Sequence, residues 1–424
     1  VKFFNARRSI RDVAILSGGL ALTALLTGCA GTVSGTSAAA EIDVRTLAVG
    51  NYPTLPLDVR AAYRHEVSAG KQLAVARLGD AVISGQDVDP KFVYTILSAA
   101  DYTYAIANAA KPALDRNHLL FAYATSVSDR PRLETLHIDV SGNSSPLGGW
   151  ENDLDATSFN VAVLQFPDEQ QARTAADEIE AADFAVAPDQ NAHVTLDKYA
   201  TAKAHWRPGI PSMAATIAHG QYVVNVFART TKPELDGLKS LATRILDAQL
   251  PLLDRTPPLS KRDSLYLDYD PSAMLRRTLH PGPFPSPNAN EVTRTPRGYL
   301  HTVENQGPWK QLLDDNKVDL TATTQQGALL FRTPDAKSAT ALWNGINALI
   351  PGSVEAPPGV RDVTCVENPK RNTADFSLSW NNSDRYLCTL HYDRYVARVA
   401  SAQLVDAQQR AAAQYALLAN AQYL

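Results

Sequence analysis

The chain has 424 residues, 45% hydrophobic and 20% charged, enough to bury the cores of two or three domains or of one duplicated unit. Its formal net charge is -4, and loss of an apparent leader (residues 1–28) would remove four basic residues against one acidic, leaving the remainder more acidic still. That balance excludes the concentrated basic face needed for nucleic acid and gives no polybasic membrane surface, while small neutral, cationic or amphipathic partners stay open.

In chain order, residues 1–28 read as a signal peptide. Lys2, Arg7, Arg8 and Arg11 precede an apolar run from Val13 to Leu26, shorter than the ~18 residues of a spanning helix. The run ends in Leu26-Thr27-Gly28-Cys29, which resembles the lipobox of bacterial lipoproteins. That resemblance implies cleavage before Cys29, acyl chains such as palmitate on the new N-terminal cysteine, and an address on the extracytoplasmic face of a cell membrane. Arg7-Arg8 lacks the rest of a twin-arginine signal, so the general secretory route is favoured. With Cys29 lipidated, only Cys365 and Cys388 remain. Two cysteines in an oxidising compartment usually pair, stabilising by roughly 3 kcal/mol. Two free buried thiols are the alternative, and zinc is disfavoured because neither CxxC nor a histidine cluster accompanies them.

Residues 29–46, rich in Ala, Gly, Thr and Ser, read as a lipidated flexible stalk. An N-terminal α+β domain is expected over 47–255, and a C-terminal α+β domain over 256–424. Val59 to Leu78 carries apolar residues at helical spacing. Beyond it, four markers recur in order. Asp89-Pro90 and Asp270-Pro271 each carry a helix-start signature. His118 to Phe121 and Gly298 to His301 read as short strands. Val161 to Phe166 and Ala328 to Arg332 read as strands, each followed by Pro-Asp-x-x-x-Ala, a capped helix start. Tyr222 to Val226 and Tyr395 to Val399 read as second hairpin strands after turns at Gly220-Gln221 and Asp393-Arg394, and closing helices are expected over 233–250 and 405–418. The fold class that follows is α+β: a tandem duplicated module, 89–255 and 268–424, with antiparallel or mixed sheets, a ferredoxin-like element order, and the cysteine pair in the second copy only. Two unrelated domains of similar element order are the competing reading.

Signatures of chemistry are sparse. HExxH, GxSxG, Walker A and GxGxxG patterns are absent, and the nine histidines are scattered without metal-ligand spacing, so no catalytic residue, metal ligand or cofactor is assigned. Ser68 and Lys71 form SxxK, with Ser141-Gly142-Asn143 and Lys337-Ser338 as poor relatives of the other penicillin-recognition motifs. Ser68 lies inside a helical pattern and Lys337 in a capped helix, so the constellation is set aside. Trp150, Trp206 and Trp309 sit beside Gly or Pro and either line a glycan or lipid cleft or cap a core. The proline-rich stretch from His280 to Pro296 reads as a mobile loop or a binding lid.

The lipobox, Gly50-Asn51-Tyr52-Pro53-Thr54 just after the stalk, Val88-Asp89-Pro90 and the paired late cysteines together resemble a family of actinobacterial lipoproteins, mycobacterial and nocardial, built from N-terminal and C-terminal domains of unknown function. The resemblance implies address and architecture and supplies no active-site residues. The expected function is that of a non-catalytic, membrane-tethered envelope protein binding a small-molecule, lipid or glycan ligand, or a partner, between its two modules. An envelope hydrolase or transferase whose groups meet only in three dimensions, and a structural or assembly lipoprotein, are the alternatives.

Overall fold

The computed structural model describes residues 42–99, 105–131, 155–282, 286–288, 291–325, 327–368 and 384–424. Cys29 and the lipobox, the stalk to residue 41, Trp150 and the Ser141-Gly142-Asn143 triplet lie outside the described residues. Among the described residues the first half forms seven strands, β1 (Tyr94–Ala99), β2 (Phe121–Ser128), β3 (Ser158–Gln165), β4 (Ala192–Val194), β5 (Lys203–Trp206), β6 (Ser212–His219) and β7 (Tyr222–Arg229). They form one antiparallel sheet in the order β1-β2-β3-β7-β6-β5-β4. The accompanying helices are α1 (Val59–Ala62), α2 (Val67–Gly79), α3 (Lys111–Arg116), α4 (Glu169–Phe184) and α5 (Leu235–Asp254).

Central strands are apolar on both faces because both are covered. Phe159, Val161 and Val163 of β3 pack with α2 and α5, whereas Ala162 and Leu164 pack with α3 and α4. This explains an unbroken run of eight buried residues where a half-exposed strand would alternate.

The second half repeats the plan with α6 (Lys261–Leu265), β8 (Val292–Arg294), α7 (Pro296–Leu300), α8 (Gln306–Asp315), β9 (Leu320–Thr323), β10 (Ala328–Arg332), α9 (Ala336–Leu349), β11 (Val363–Glu367), β12 (Tyr386–Tyr392), β13 (Tyr395–Ser401) and α10 (Leu404–Asn420). Its six strands run β8-β9-β10-β13-β12-β11, the order of the first sheet without β4. The fold is therefore α+β with two antiparallel sheets, one per copy.

Equivalent hydrogen bonds mark the two copies. Asp168 and Asp335 cap α4 and α9, accepting from the Gln171 N–H at 2.8 Å and the Ser338 N–H at 2.7 Å. Gly220 and Asp393 take the left-handed conformation that the two hairpin turns require, with φ of 56° and 49°. A fully buried glutamine on each closing helix clamps the chain beneath it. Gln249 accepts from the Ile83 N–H and donates to the Ala81 carbonyl, and Gln414 accepts from the Leu279 N–H and donates to the Arg277 carbonyl. Each clamp satisfies a buried backbone donor and acceptor that no strand or helix reaches.

Two sequence expectations change. Gly298 to His301 is not a strand: Thr295 caps and Pro296 opens α7 there. The true counterpart of β2 is β9, and the shared signal precedes it. Asn117-His118 and Asn316-Lys317 end α3 and α8 alike, each Asn side chain donating to the carbonyl four residues back (Ala113, Leu312), with His118 and Lys317 at positive φ. The Asp89-Pro90 and Asp270-Pro271 pairs open turns, the second running into a 3-10 turn at Leu275–Arg277 whose free N–H groups Asp270 accepts.

The start of the described chain straps onto the second copy. Ile42, Val44, Leu47, Val49, Tyr52, Leu57 and Val59 pack against the core beneath α10. The Gly50-to-Thr54 motif supplies the fastening. Gly50 turns beside Gln409 at a φ of 60°, a backbone conformation that a residue with a Cβ adopts only under strain. The Tyr52 hydroxyl donates to Asp406 at 2.6 Å and accepts from Arg410 at 3.0 Å, and Asn420 donates to the Thr54 carbonyl at 2.8 Å. Packing thus begins at Ile42, inside the expected stalk, and residues 42–59 lie on the C-terminal copy. α2 is wedged between the copies, with Leu73 in one core and Ala74, Val75 and Leu78 in the other, so it is apolar around much of its circumference.

Cys365 and Cys388 face each other across β11 and β12 and are joined, a buried brace with no counterpart pair in the first copy. Among the described residues, no helix is long and apolar enough to cross a membrane.

Candidate ligand cleft between the two copies

An aspartate inside an apolar run marks the site. In Leu78-Gly79-Asp80-Ala81-Val82-Ile83 every neighbour of Asp80 is buried, and the Gln249 clamp on Ala81 and Ile83 fixes the backbone around it. Asp80 ends α2, its N–H bonded to the Ala76 carbonyl at 3.2 Å. Four residues on, Ser84 and Asp87 form a capping box, with the Ser84 N–H and hydroxyl donating to Asp87 Oδ2 at 2.8 and 2.9 Å.

The second copy meets this segment with β8, α7 and α8. Thr295 donates to Asp80 Oδ1 from both its N–H (3.0 Å) and its hydroxyl (2.9 Å). Gly298 is required by the same contact, because a Cβ there would overlap Asp80 Oδ1. His301 Nε2 donates to the Val82 carbonyl at 3.2 Å, which fixes its tautomer, and its ring lies 5.4 Å from that of Tyr123. Buried Gln306 accepts from the Gly85 N–H and donates to Thr95, while the Gln306 N–H reaches the Val93 carbonyl at 2.7 Å and the Thr95 N–H the Glu304 carbonyl at 2.8 Å. The copies are therefore stitched by backbone and buried side chains, and the cleft between them is preformed.

The cleft has a volume of about 290 Å³ and is lined by Asp80, Ser84 and Asp87 from one copy and Thr295, Arg297, Leu300, Lys310, Leu313 and Asp314 from the other. Leu300 and Leu313 are buried and give it an apolar floor. Its charges are mostly paired: Arg297 Nε with Asp87 Oδ2 at 3.3 Å, and Lys310 with Asp314 at 2.6 Å. Asp80 Oδ2 accepts no hydrogen bond from the described residues.

Burial raises the Asp80 carboxyl to about 6, against the Thr295 hydrogen bonds and the charges of Arg294 and Arg297, which pull the other way. Burial lowers His301 to about 4, with the Val82 carbonyl opposing, so it is neutral at pH 7. A carboxylate held charged in such surroundings destabilises the fold, the kind of residue that marks functional sites.

The other residues singled out in the sequence do not join this cleft. Trp309 is buried in the second core, stacked on Phe331 at 5.9 Å with the Arg398 guanidinium 5.1 Å over its ring. Trp206, the last residue of β5, donates to the Ile210 carbonyl at 2.7 Å in the loop that follows. Ser68 is exposed on α2 and bonded to Glu66, and Lys337 lies in the first turn of α9. The proline-rich stretch is tied down where it is described: buried His280 Nε2 meets Glu291 at 2.8 Å, and Glu291 also accepts from the Ser286 N–H at 2.9 Å. Burial opposes the His280 charge, but Glu291 and the Gly282 carbonyl outweigh it and hold its pKa above the usual histidine value. Among the described residues, no three His, Cys, Asp or Glu side chains are grouped to hold a metal ion.

Asp80, Asp87, Arg297 and Lys310 carried no recognised motif. Two local signals were present, the lone charge between Gly79 and Ala81 and the Ser84-x-x-Asp87 capping pattern, and neither reveals a partner more than 200 residues away.

No curated protein and no solved structure matches the chain. Residues 61–269 match the N-terminal domain of unknown function DUF7373, and residues 274–421 match its C-terminal domain. Cleft residues 80–87 fall in the first match and 295–314 in the second. The chain belongs to the DUF7373 family.

Proposed function

We propose that the protein is a lipoprotein anchored through Cys29 on the extracytoplasmic face of a cell membrane, and that it binds a small polar ligand in the cleft between its two copies. The observation that carries the reading is Asp80, a carboxylate kept in a costly setting with one oxygen fixed by Thr295 and the other uncommitted at the wall of a preformed cavity. The apolar leader and lipobox support the address. Native mass spectrometry of the protein extracted in mild detergent tests both parts. A diacylated N-terminal cysteine and a small bound mass are expected, and the bound mass should be absent from Lys310→Trp, which fills the cleft. Unmodified Cys29 would refute the anchor, and identical bare spectra for both proteins would refute the cleft.

A second reading, hydrolysis, draws on one feature: Asp80 and Asp87 line the same cleft in unlike environments, as an acid and a carboxylate do in glycoside hydrolases. Release of reducing sugar from cell-wall glycan by the wild type and not by Asp80→Asn would favour it over simple binding.

A further inference from the structure

We propose that the ligand is a small zwitterion of the amino-acid type, its ammonium held by Asp80 and its carboxylate by Arg297 and Lys310; this rests on the binding reading above. Size is the first constraint. At about 290 Å³ the cleft lies at the lower edge of ordinary small-molecule sites, so a large glycan or acyl chain is not enclosed.

The second constraint is which polar atoms remain unspent. Asp87 spends Oδ2 on the Ser84 N–H, the Ser84 hydroxyl and the Arg297 cation, and Asp80 spends Oδ1 on Thr295 alone, so each keeps one oxygen but only Asp87 is bonded to a cation. Asp80 Oδ2 thus belongs to the lining carboxylate with no cation bonded to it, and it is partly desolvated and fixed in direction, which suits an ammonium donor. In the same cleft, Arg297 spends Nε on Asp87 and keeps both terminal nitrogens, and Lys310 spends one of its three N–H bonds on Asp314. These cations are positioned by their aspartates and still have donors for a carboxylate. A plain anion would meet three carboxylates, and a plain amine would leave the Arg297 and Lys310 donors unused. A molecule carrying both charges satisfies both walls, with Leu300 and Leu313 beneath a short aliphatic part.

The test is saturation-transfer and titration NMR on the full chain in mild detergent, with the free amino acids presented singly. The best binder is then compared with its own decarboxylated amine and deaminated acid, for alanine these being ethylamine and propionate. Both analogues should bind about tenfold more weakly or worse, the loss expected for one charged hydrogen bond. Asp80→Asn and Arg297→Gln, checked for folding by their melting profiles, should each cause a similar loss. Should either variant fail to fold, wild-type binding measured from pH 7 to pH 5 replaces it. Affinity should fall with the Asp80 charge over a range where neither group of an amino acid titrates. An acid analogue that binds equally well, or affinity unchanged at pH 5, would overturn the proposal. Failure of every amino acid while native mass spectrometry still finds a cleft-dependent ligand would reject the zwitterion and leave the binding reading standing. Failure of both would reject both.

Discussion

Replacing Asp80 with asparagine is expected to stabilise the protein above pH 6 while abolishing the proposed binding in the cleft. The side chain keeps an oxygen for the two Thr295 donors, so local geometry is preserved. Folding raises the carboxyl from 3.8 to about 6, roughly two units, and at about 1.4 kcal/mol per unit the ionised form costs up to ~3 kcal/mol. Asp80 is partly open to the cleft and asparagine forfeits a charge-assisted bond, so a gain of about 1–2 kcal/mol is expected at pH 7.5. The sign follows from linkage. A folded pKa above the unfolded value stabilises below about pH 3.8, and that contribution is lost as pH rises through about 6. The difference between variant and wild type should therefore be near zero at pH 4 and grow to its plateau by pH 7. Thermal and urea unfolding from pH 4 to pH 8 read this directly. A variant less stable than the wild type by the same amount at every pH would rule out a destabilising Asp80 charge. It would mean that Arg294 and Arg297 fully compensate the charge and that Asp80 is a structural ion.

Three further outcomes follow from the same contacts. His301, lowered from 6.5 to about 4, favours folding above pH 6.5 and loses that contribution, about 3 kcal/mol, as pH falls toward 4; His301→Gln, which keeps a donor for Val82, should flatten the acid limb of the urea midpoint against pH. Gln249→Leu and Gln414→Leu each orphan one buried N–H and one carbonyl and should each destabilise by about 2–4 kcal/mol in guanidinium unfolding; a loss below ~1 kcal/mol would mean that water replaces the clamp. Opening the Cys365–Cys388 bridge, which spans 23 positions, should cost about 3 kcal/mol, seen as a lower melting temperature in reductant that the double serine variant does not show.

Much of the architecture was legible because it rests on local chemistry. The Asp168 and Asp335 caps, the Gly220 and Asp393 turns and the doubly covered apolar strands each announce themselves within a few residues. β9 did not, since Leu320-Thr321-Ala322-Thr323 is short and half polar and draws its burial from neighbours on both sides. Gly298 to His301, with Tyr299 and Leu300 at its centre, reads as a strand, yet Thr295 and Pro296 dictate a helix start. The strap was partly visible as an unusual motif, but what Tyr52 fastens to, Asp406 and Arg410, is more than 350 residues away. The cleft is the extreme case. Its two walls are assembled from residues 80–87 and 295–314, and the feature that marks it, the desolvation of Asp80, exists only once α7 has packed against α2.

The most direct test of the cleft as a ligand site is a crystal structure of the protein purified in mild detergent from the cells that make it, without dialysis against denaturant. Density for a small molecule is expected in the cleft, with a donor atom within about 3 Å of Asp80 Oδ2 and an acceptor group against Arg297 or Lys310. A cleft filled by water alone, with a ligand bound elsewhere on the chain, would contradict it.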